Sequence, residues 1–154
     1  MVKYINPLKI KNRIISTFDP SVYTTTGTVI SSAWDVILIP FSSGIAVEGI
    51  YERFIGGARW EDTMYYKMRK SGGYGEIKDV DGYMKSIDDL YFDMKENGYR
   101  EPGYWRWHGT RQDIGVAITR KGEYVWCHDG QHRLAIAQIL KIKKVPVRIV
   151  VRWK

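Results

Sequence analysis

The sequence predicts an α+β domain, a small mixed sheet with helices packed around it, and three observations carry that expectation. At 154 residues the chain is about one domain long. Over about 80–97, Tyr83, Ile87, Leu90, Tyr91 and Met94 fall on one stripe of a long amphipathic helix. The last third then alternates strand-like and helix-like runs at 116–119, 123–127, 131–140 and 145–153. A content of 44% hydrophobic and 27% charged residues belongs to a chain that folds, not to a disordered one.

Taken in order, residues 1–33 show no sustained period and become rich in turn formers around Gly27, Ser31 and Ser32. They are expected as an extended, partly ordered N-terminal arm, with 34–154 as the domain. Val36 to Ile39 reads as a short buried strand that stops at Pro40. Ile45, Ile50, Phe54 and Ile55 recur at helical spacing, and Gly56-Gly57 supplies the stop. Trp60-Glu61-Asp62-Thr63 opens a second short helix through Lys70, with acids in its first turn and Lys67, Arg69 and Lys70 in its last, as the helix dipole prefers. Around the stripe of the long helix, Asp81, Lys85, Asp88, Asp89, Asp93 and Glu96 read as a solvated face, and Gly98 caps its end. Gly122 suits a tight hairpin between 116–119 and 123–127. In the final strand Val145, Val147, Ile149, Val151 and Trp153 alternate with a second set that includes Arg148 and Arg152, predicting one apolar and one basic face. No repeat or linker supports a second domain.

Several function classes drop out. The longest apolar run, Val36 to Phe41, is far short of a membrane span, and the N-terminus lacks the apolar block of a secretory signal, so a cytoplasmic protein without membrane partners is expected. One cysteine, Cys127, excludes an intrachain disulfide and multi-cysteine clusters. The net charge of +7 favours anionic partners, nucleotides or nucleic acid alike. Interleaved aromatic and basic residues, Gly103-Tyr104-Trp105-Arg106-Trp107-His108-Gly109, suit base stacking, a pocket cover or a loop pinned by its tryptophans.

Chemistry concentrates in Cys127-His128-Asp129-Gly130-Gln131-His132-Arg133, a strand end, a glycine turn and a helix start. A helix N-terminus exposes unpaired N–H groups and partial positive charge, and Gly130 lets an anion approach the backbone. His132 and Arg133 place cations in the first turn, against the dipole by about 0.3–1 kcal/mol each. A phosphate bound by Gly130, Gln131, His132 and Arg133 would offset that cost. Equally open from the residues alone is Arg133 paired with a carboxylate and His132 as a structural imidazole. Cys127, His128, His132 and His108 are of the types that ligate zinc, but the His128 to His132 interval spans a turn, and no metal site is assigned.

The string Asp129-Gly130-Gln131-His132-Arg133-Leu134-Ala135-Ile136-Ala137, followed by Lys143-Lys144-Val145-Pro146-Val147, resembles the signature of the ParB/sulfiredoxin superfamily over roughly residues 114–152. Trp34-Asp35, Trp60 to Thr63 and Glu96 to Arg100 also look like segments of small stand-alone ParB-like proteins. The resemblance implies a ParB/sulfiredoxin-like domain whose turn-helix binds nucleotide phosphates. Gln131 separates this chain from sulfiredoxins, which carry their catalytic cysteine at that position, and from the Gly-Glu-Arg-Arg of partition clamps, whose downstream helix-turn-helix this sequence does not contain. Free-serine kinases read Asp-Gly-His-His-Arg, which differs here only at Gln131. The activity this resemblance implies is that of an NTP-dependent phosphotransferase or NTP hydrolase using ATP, ADP or CTP with Mg²⁺ and a small hydroxyl-bearing acceptor. His132 would act on the phosphate, Asp129 on the metal or the acceptor proton, and Glu61, favoured over Glu48, as the upstream base that branch uses. Whether the chain is an enzyme stays open: a non-catalytic or nuclease-type nucleic-acid module, drawing on Arg148, Arg152 and the Trp105-Arg106-Trp107 cluster, is the alternative, and a domain holding nucleotide only as a structural ligand is a third.

Overall fold

The computed structural model describes residues 2–15, 17–24, 26–100 and 114–154. Within them the chain is a mixed α+β domain built on one seven-stranded sheet. Strand β1 (Val2–Ile5) lies at one edge, antiparallel to β7 (Val145–Arg152), and β3 (Thr28–Val29) runs parallel to the end of β7. Inward from β7 come β5 (Ile114–Ile118), parallel to it, and β6 (Tyr124–His128), antiparallel to β5. Strand β2 (Asn12–Ile14) is parallel to β6, and β4 (Leu38–Pro40) closes the far edge.

Two apolar clusters sandwich this sheet. One face is covered by α2 (Ile45–Phe54), α3 (Met64–Lys70), α4 (Val80–Asn97) and α5 (Gln131–Ile139) over Ile114, Val116, Val145, Val147 and Ile149. The other is covered by the segment holding α1 (Pro20–Thr24) and Trp34, which packs on Ile14, Ala117, Val125, Val150 and Val151. The helices form where the residues demand them. Asp79 caps α4 by accepting from the Gly82 N–H at 2.9 Å, its buried stripe runs from Val80 to Met94, and Gly98 ends it at φ +74°. The 3-10 turn 60–62 precedes α3, whose cap is the Thr63 hydroxyl, accepting from Tyr66 N–H at 3.1 Å.

Three expectations change. The N-terminal stretch is no arm standing off the domain: β1, β2 and β3 are members of the sheet, and Ile10 is fully buried. β1 and β3 pair with β7, and β2 pairs with β6 on one side, all more than a hundred residues away in sequence, so no local period announces these pairings. The short strand falls at Leu38–Pro40, not 36–39, and Val36 and Ile37 are 64% and 60% exposed. Trp34 and Asp35 are the buried anchors there, holding a 3-10 turn at 33–35 that turns the next two residues outward. Strand β7 has no basic face, because cover on both sides buries every residue from Val145 to Val151, Arg148 included.

The acidic face of α4 is also less uniform than its composition suggests. Asp88 takes a two-pronged pair from Arg53 at 3.0–3.1 Å and the indole N–H of Trp60 at 3.0 Å. Asp93 pairs with Arg100 at 3.1 Å. Among the described residues, no helix is long and apolar enough to cross a membrane.

Candidate functional site

Strand β6 runs out at His128 into two successive left-handed residues, Asp129 at φ +54° and Gly130 at φ +65°, which turn the chain straight into α5. Aspartate tolerates this region better than most residues, and glycine occupies it without strain. Space fixes the glycine as well, since a Cβ at position 130 would lie 2.8 Å from the Cα of Ile114. Trp126 locks the turn by donating its indole N–H to the Asp129 carbonyl at 2.8 Å. Among the described residues no N-cap side chain closes the helix that opens at Gly130.

Arg133 is the decisive side chain. Only 2% exposed, it donates through Nη1 to the Arg100 carbonyl at 3.2 Å and lies with its Cζ 5.3 Å from the Tyr99 ring centroid, while Nε and Nη2 have no hydrogen-bond partner among the described residues. A buried cation with donors unmet costs several kcal/mol until an anion arrives, because the guanidinium cannot shed its charge. The alternative of a carboxylate partner for Arg133 has no ion pair among the described residues to support it.

His132 turns toward α3 and α4. Its Nε2 lies 2.8 Å from the hydroxyl of Tyr65, with Tyr83 edge-on to the ring at 5.9 Å. Tyr65 is fully buried, and burial first, then the neighbouring Tyr83, raises its phenol well above the usual range. Arg69 closes the cluster, donating through Nη2 to both phenol oxygens at 3.5 and 3.3 Å and through Nη1 to the Tyr74 carbonyl at 2.6 Å.

The other expected residues are placed differently. The carboxylate of Asp129 lies 3.5 Å from Nε2 of His128 and 3.8 Å from Nη2 of Arg148, while the His128 ring packs tilted against Tyr23 of α1, centroids 4.2 Å apart. Gln131 is half-buried at the first position of α5. Glu61 is exposed in the 3-10 turn 60–62 with Arg59 as its charged neighbour, and no hydrogen bond or ion pair among the described residues joins it to 129–133. Glu48 is exposed in the first turn of α2. The Cys127 thiol is pushed up to about 12, by burial first and by Asp129 to a smaller extent against an opposing pull from Arg148. The aromatic and basic run 103–109, with His108, lies outside the described residues.

Tyr65, Tyr83 and Arg69 are not legible in the sequence as site residues. They come from two helices that precede the motif by some fifty to seventy positions, and read locally they are a helix stripe and a dipole-favoured last turn. A third arginine, Arg13 of β2, places its guanidinium 4.8 Å from the Trp126 ring centroid, with Nε buried and unpartnered among the described residues. No family model, curated protein or solved structure matches this chain.

Proposed function

We propose that this domain binds a nucleotide by its phosphates at the N-terminus of α5 and transfers or hydrolyses the terminal phosphoryl group, as a small-molecule kinase or an NTP hydrolase of the reducing cytoplasm. The observation that carries this reading is Arg133: buried, charged and short of two acceptors among the described residues, beside a left-handed glycine turn that opens an uncapped helix. Backbone N–H groups, a guanidinium and an imidazole together form a cradle suited to phosphate oxygens. The resemblance of Asp129 to Arg133 to a superfamily of nucleotide-phosphate binders points the same way.

Phosphoryl transfer relies on positioning and charge neutralisation more than on covalent chemistry by the protein. Here Arg133 would stabilise charge on the equatorial oxygens and the helix end would hold the phosphate backbone. Mg²⁺ with a bound nucleotide would supply further neutralisation, but the carboxylate nearest the turn, Asp129, already faces the Arg148 guanidinium at 3.8 Å, which competes with a metal for it. Glu61, exposed in the 60–62 turn, remains the proposed base for an acceptor hydroxyl.

Titration calorimetry with ATP, ADP and CTP, each with Mg²⁺, tests the reading, followed by radiolabelled turnover. Arg133→Ala removes charge-assisted hydrogen bonds worth about 1.5–3 kcal/mol, so binding should weaken about ten- to a hundredfold. Absence of nucleotide binding in the wild type would overturn the proposal. The nucleic-acid alternative loses Arg148, which is buried, and requires DNA affinity that falls steeply with salt.

A further inference from the structure

We propose that the end of α5 away from Gly130 carries a second surface, a lysine face that docks the phosphate backbone of a nucleic acid without reading its sequence. Five exposed side chains make it: Lys9 and Lys11 from the N-terminal stretch, and Lys141, Lys143 and Lys144 between α5 and β7. It lies about 13 Å along the helix axis from the turn at Gly130. It does not depend on the proposed nucleotide site.

Charge is unevenly distributed along the chain. Residues 1–18 and 130–154 hold eleven of the 24 lysines and arginines and none of the 17 aspartates and glutamates. The structure lays these two carboxylate-free segments against each other. Strand β1 pairs with β7, with Ile5 opposite Val145, so Lys143 and Lys144 arrive beside the chain that follows β1. Gln138, near the end of α5, donates through Nε2 to the carbonyls of Pro7 at 3.0 Å and Ile10 at 2.8 Å. Lys9 lies inside that anchored stretch and Lys11 follows it. On the helix side, the Lys141 N–H donates to the Gln138 carbonyl at 3.2 Å. Ammonium groups from segments more than a hundred residues apart are thereby gathered at one end of the domain.

Elsewhere on the domain Arg53, Arg59, Lys70, Lys85, Arg100 and Arg120 each pair with an aspartate. None of the five lysines has an ion pair among the described residues, and Glu48 and Glu52, exposed on the helix α2 that packs against α5, do not pair with them. The helix dipole favours a cation just past the last turn of α5, which accounts for Lys141 and not for the other four. Like charges gathered in this way repel one another in the free protein, and an extended polyanion relieves that repulsion while releasing its own counterions. Chemistry selects among polyanions. Lysine is depleted from protein–protein interfaces. A bilayer surface holds basic patches that also insert apolar groups, and within 6–11 and 140–144 Leu8 is the one exposed large apolar side chain. Ammonium groups on flexible stems act as point charges without the rigid fork of arginine, so they suit a phosphate backbone and carry no sequence preference.

Fluorescence anisotropy of labelled DNA and RNA duplexes of mixed sequence, titrated with the full chain from about 50 to about 200 mM salt, tests the assignment. Five phosphate contacts give a log–log slope of about −4.5, so affinity should fall about five hundredfold over that range, and unrelated sequences should bind alike. Lys143→Gln combined with Lys144→Gln should make the slope shallower by about two. Lys85→Gln, which removes a lysine already paired with Asp89 on α4, should leave affinity and slope as they are. No binding to either duplex at the lowest salt, or a slope that the double variant does not change, overturns the inference. So does tighter binding to phosphatidylserine vesicles or to polyglutamate than to the duplexes. Arg133→Ala should leave duplex binding intact; its loss would place the polymer at the N-terminus of α5 and overturn the lysine face. Duplex binding with the expected slope, in a chain that binds no ATP, ADP or CTP, sinks the proposed function and leaves the lysine face standing.

Discussion

Cys127 shows how a residue's chemistry is set by its neighbours and not by its type. The lone thiol sits one position before His128 and two before the left-handed turn, beside the candidate motif, yet burial pushes its ionisation up to about 12. The thiolate is the reactive species, so at neutral pH almost none is present. Ellman's reagent added to the native protein at pH 7.5 should label Cys127 at least a hundredfold more slowly than the denatured chain. Rapid native labelling would mean that the thiol is open and ionisable after all. The same logic separates the two histidines of the motif: His132 faces a buried phenol, while His128 stacks on Tyr23 beside Asp129. Four positions apart in sequence, they belong to different clusters, and spacing alone does not reveal that.

At the scale of elements, the site depends on how closely α3 approaches α2. Gly49, buried in the middle of α2, makes that approach: a Cβ there would lie 2.6 Å from the Cβ of Tyr65. Two effects oppose each other in Gly49→Ala. Helix propensity favours alanine by about 1 kcal/mol, whereas overpacking against a Cβ that cannot swing away costs about 1–3 kcal/mol. Packing wins, and urea unfolding should show a net loss of about 1 kcal/mol, with Tyr65 displaced from His132. Gain of stability would show that α3 moves aside freely. Nothing in the local pattern of Ile45 to Phe54 distinguishes this glycine from an ordinary helix-weakening one. The legible features are those a single element encodes within itself: the stripe and cap of α4, the hairpin at Gly122, the turn at Gly130. Pairing between distant segments is not legible, because the residues of β1 and β2 carry no sign of the β7 and β6 strands that give them partners. For the same reason the candidate residues Gly130 to Arg133 can be named from one motif, but the phenols and Arg69 packed against His132 cannot.

For the molecule as a whole, the sheet face opposite the helices is covered by chain with little regular structure of its own, held in place by one local and two long-range pins. Trp34 donates its indole N–H to the Ile30 carbonyl at 3.0 Å, and Trp153 donates to the Ser32 carbonyl at 3.1 Å. Asp35 is the ionic pin: its nearly inaccessible carboxylate accepts from the Arg120 backbone N–H at 2.7 Å and from Nη2 at 2.7 Å, and Arg120 in turn lies 4.8 Å from the Trp153 ring centroid. The arginine side chain, by its hydrogen bonds first, holds the Asp35 carboxyl below the usual carboxylate range. A depressed folded-state pKa gives stability that is fully present above the unfolded value of about 3.9 and is lost as pH falls below it toward the folded value. Thermal unfolding of the wild type should therefore move to lower temperature as the pH falls below about 4, where the unfolded chain takes up the Asp35 proton more readily than the folded one. Asp35→Asn keeps the shape of the side chain but removes its charge. Its midpoint should already be several degrees lower at pH 7, and the gap to wild type should narrow as the pH falls. A gap that stays constant from pH 7 to pH 3 would place the acid sensitivity of the fold elsewhere, with the Asp88–Arg53 and Asp93–Arg100 pairs of the helical face as the next carboxylates to replace.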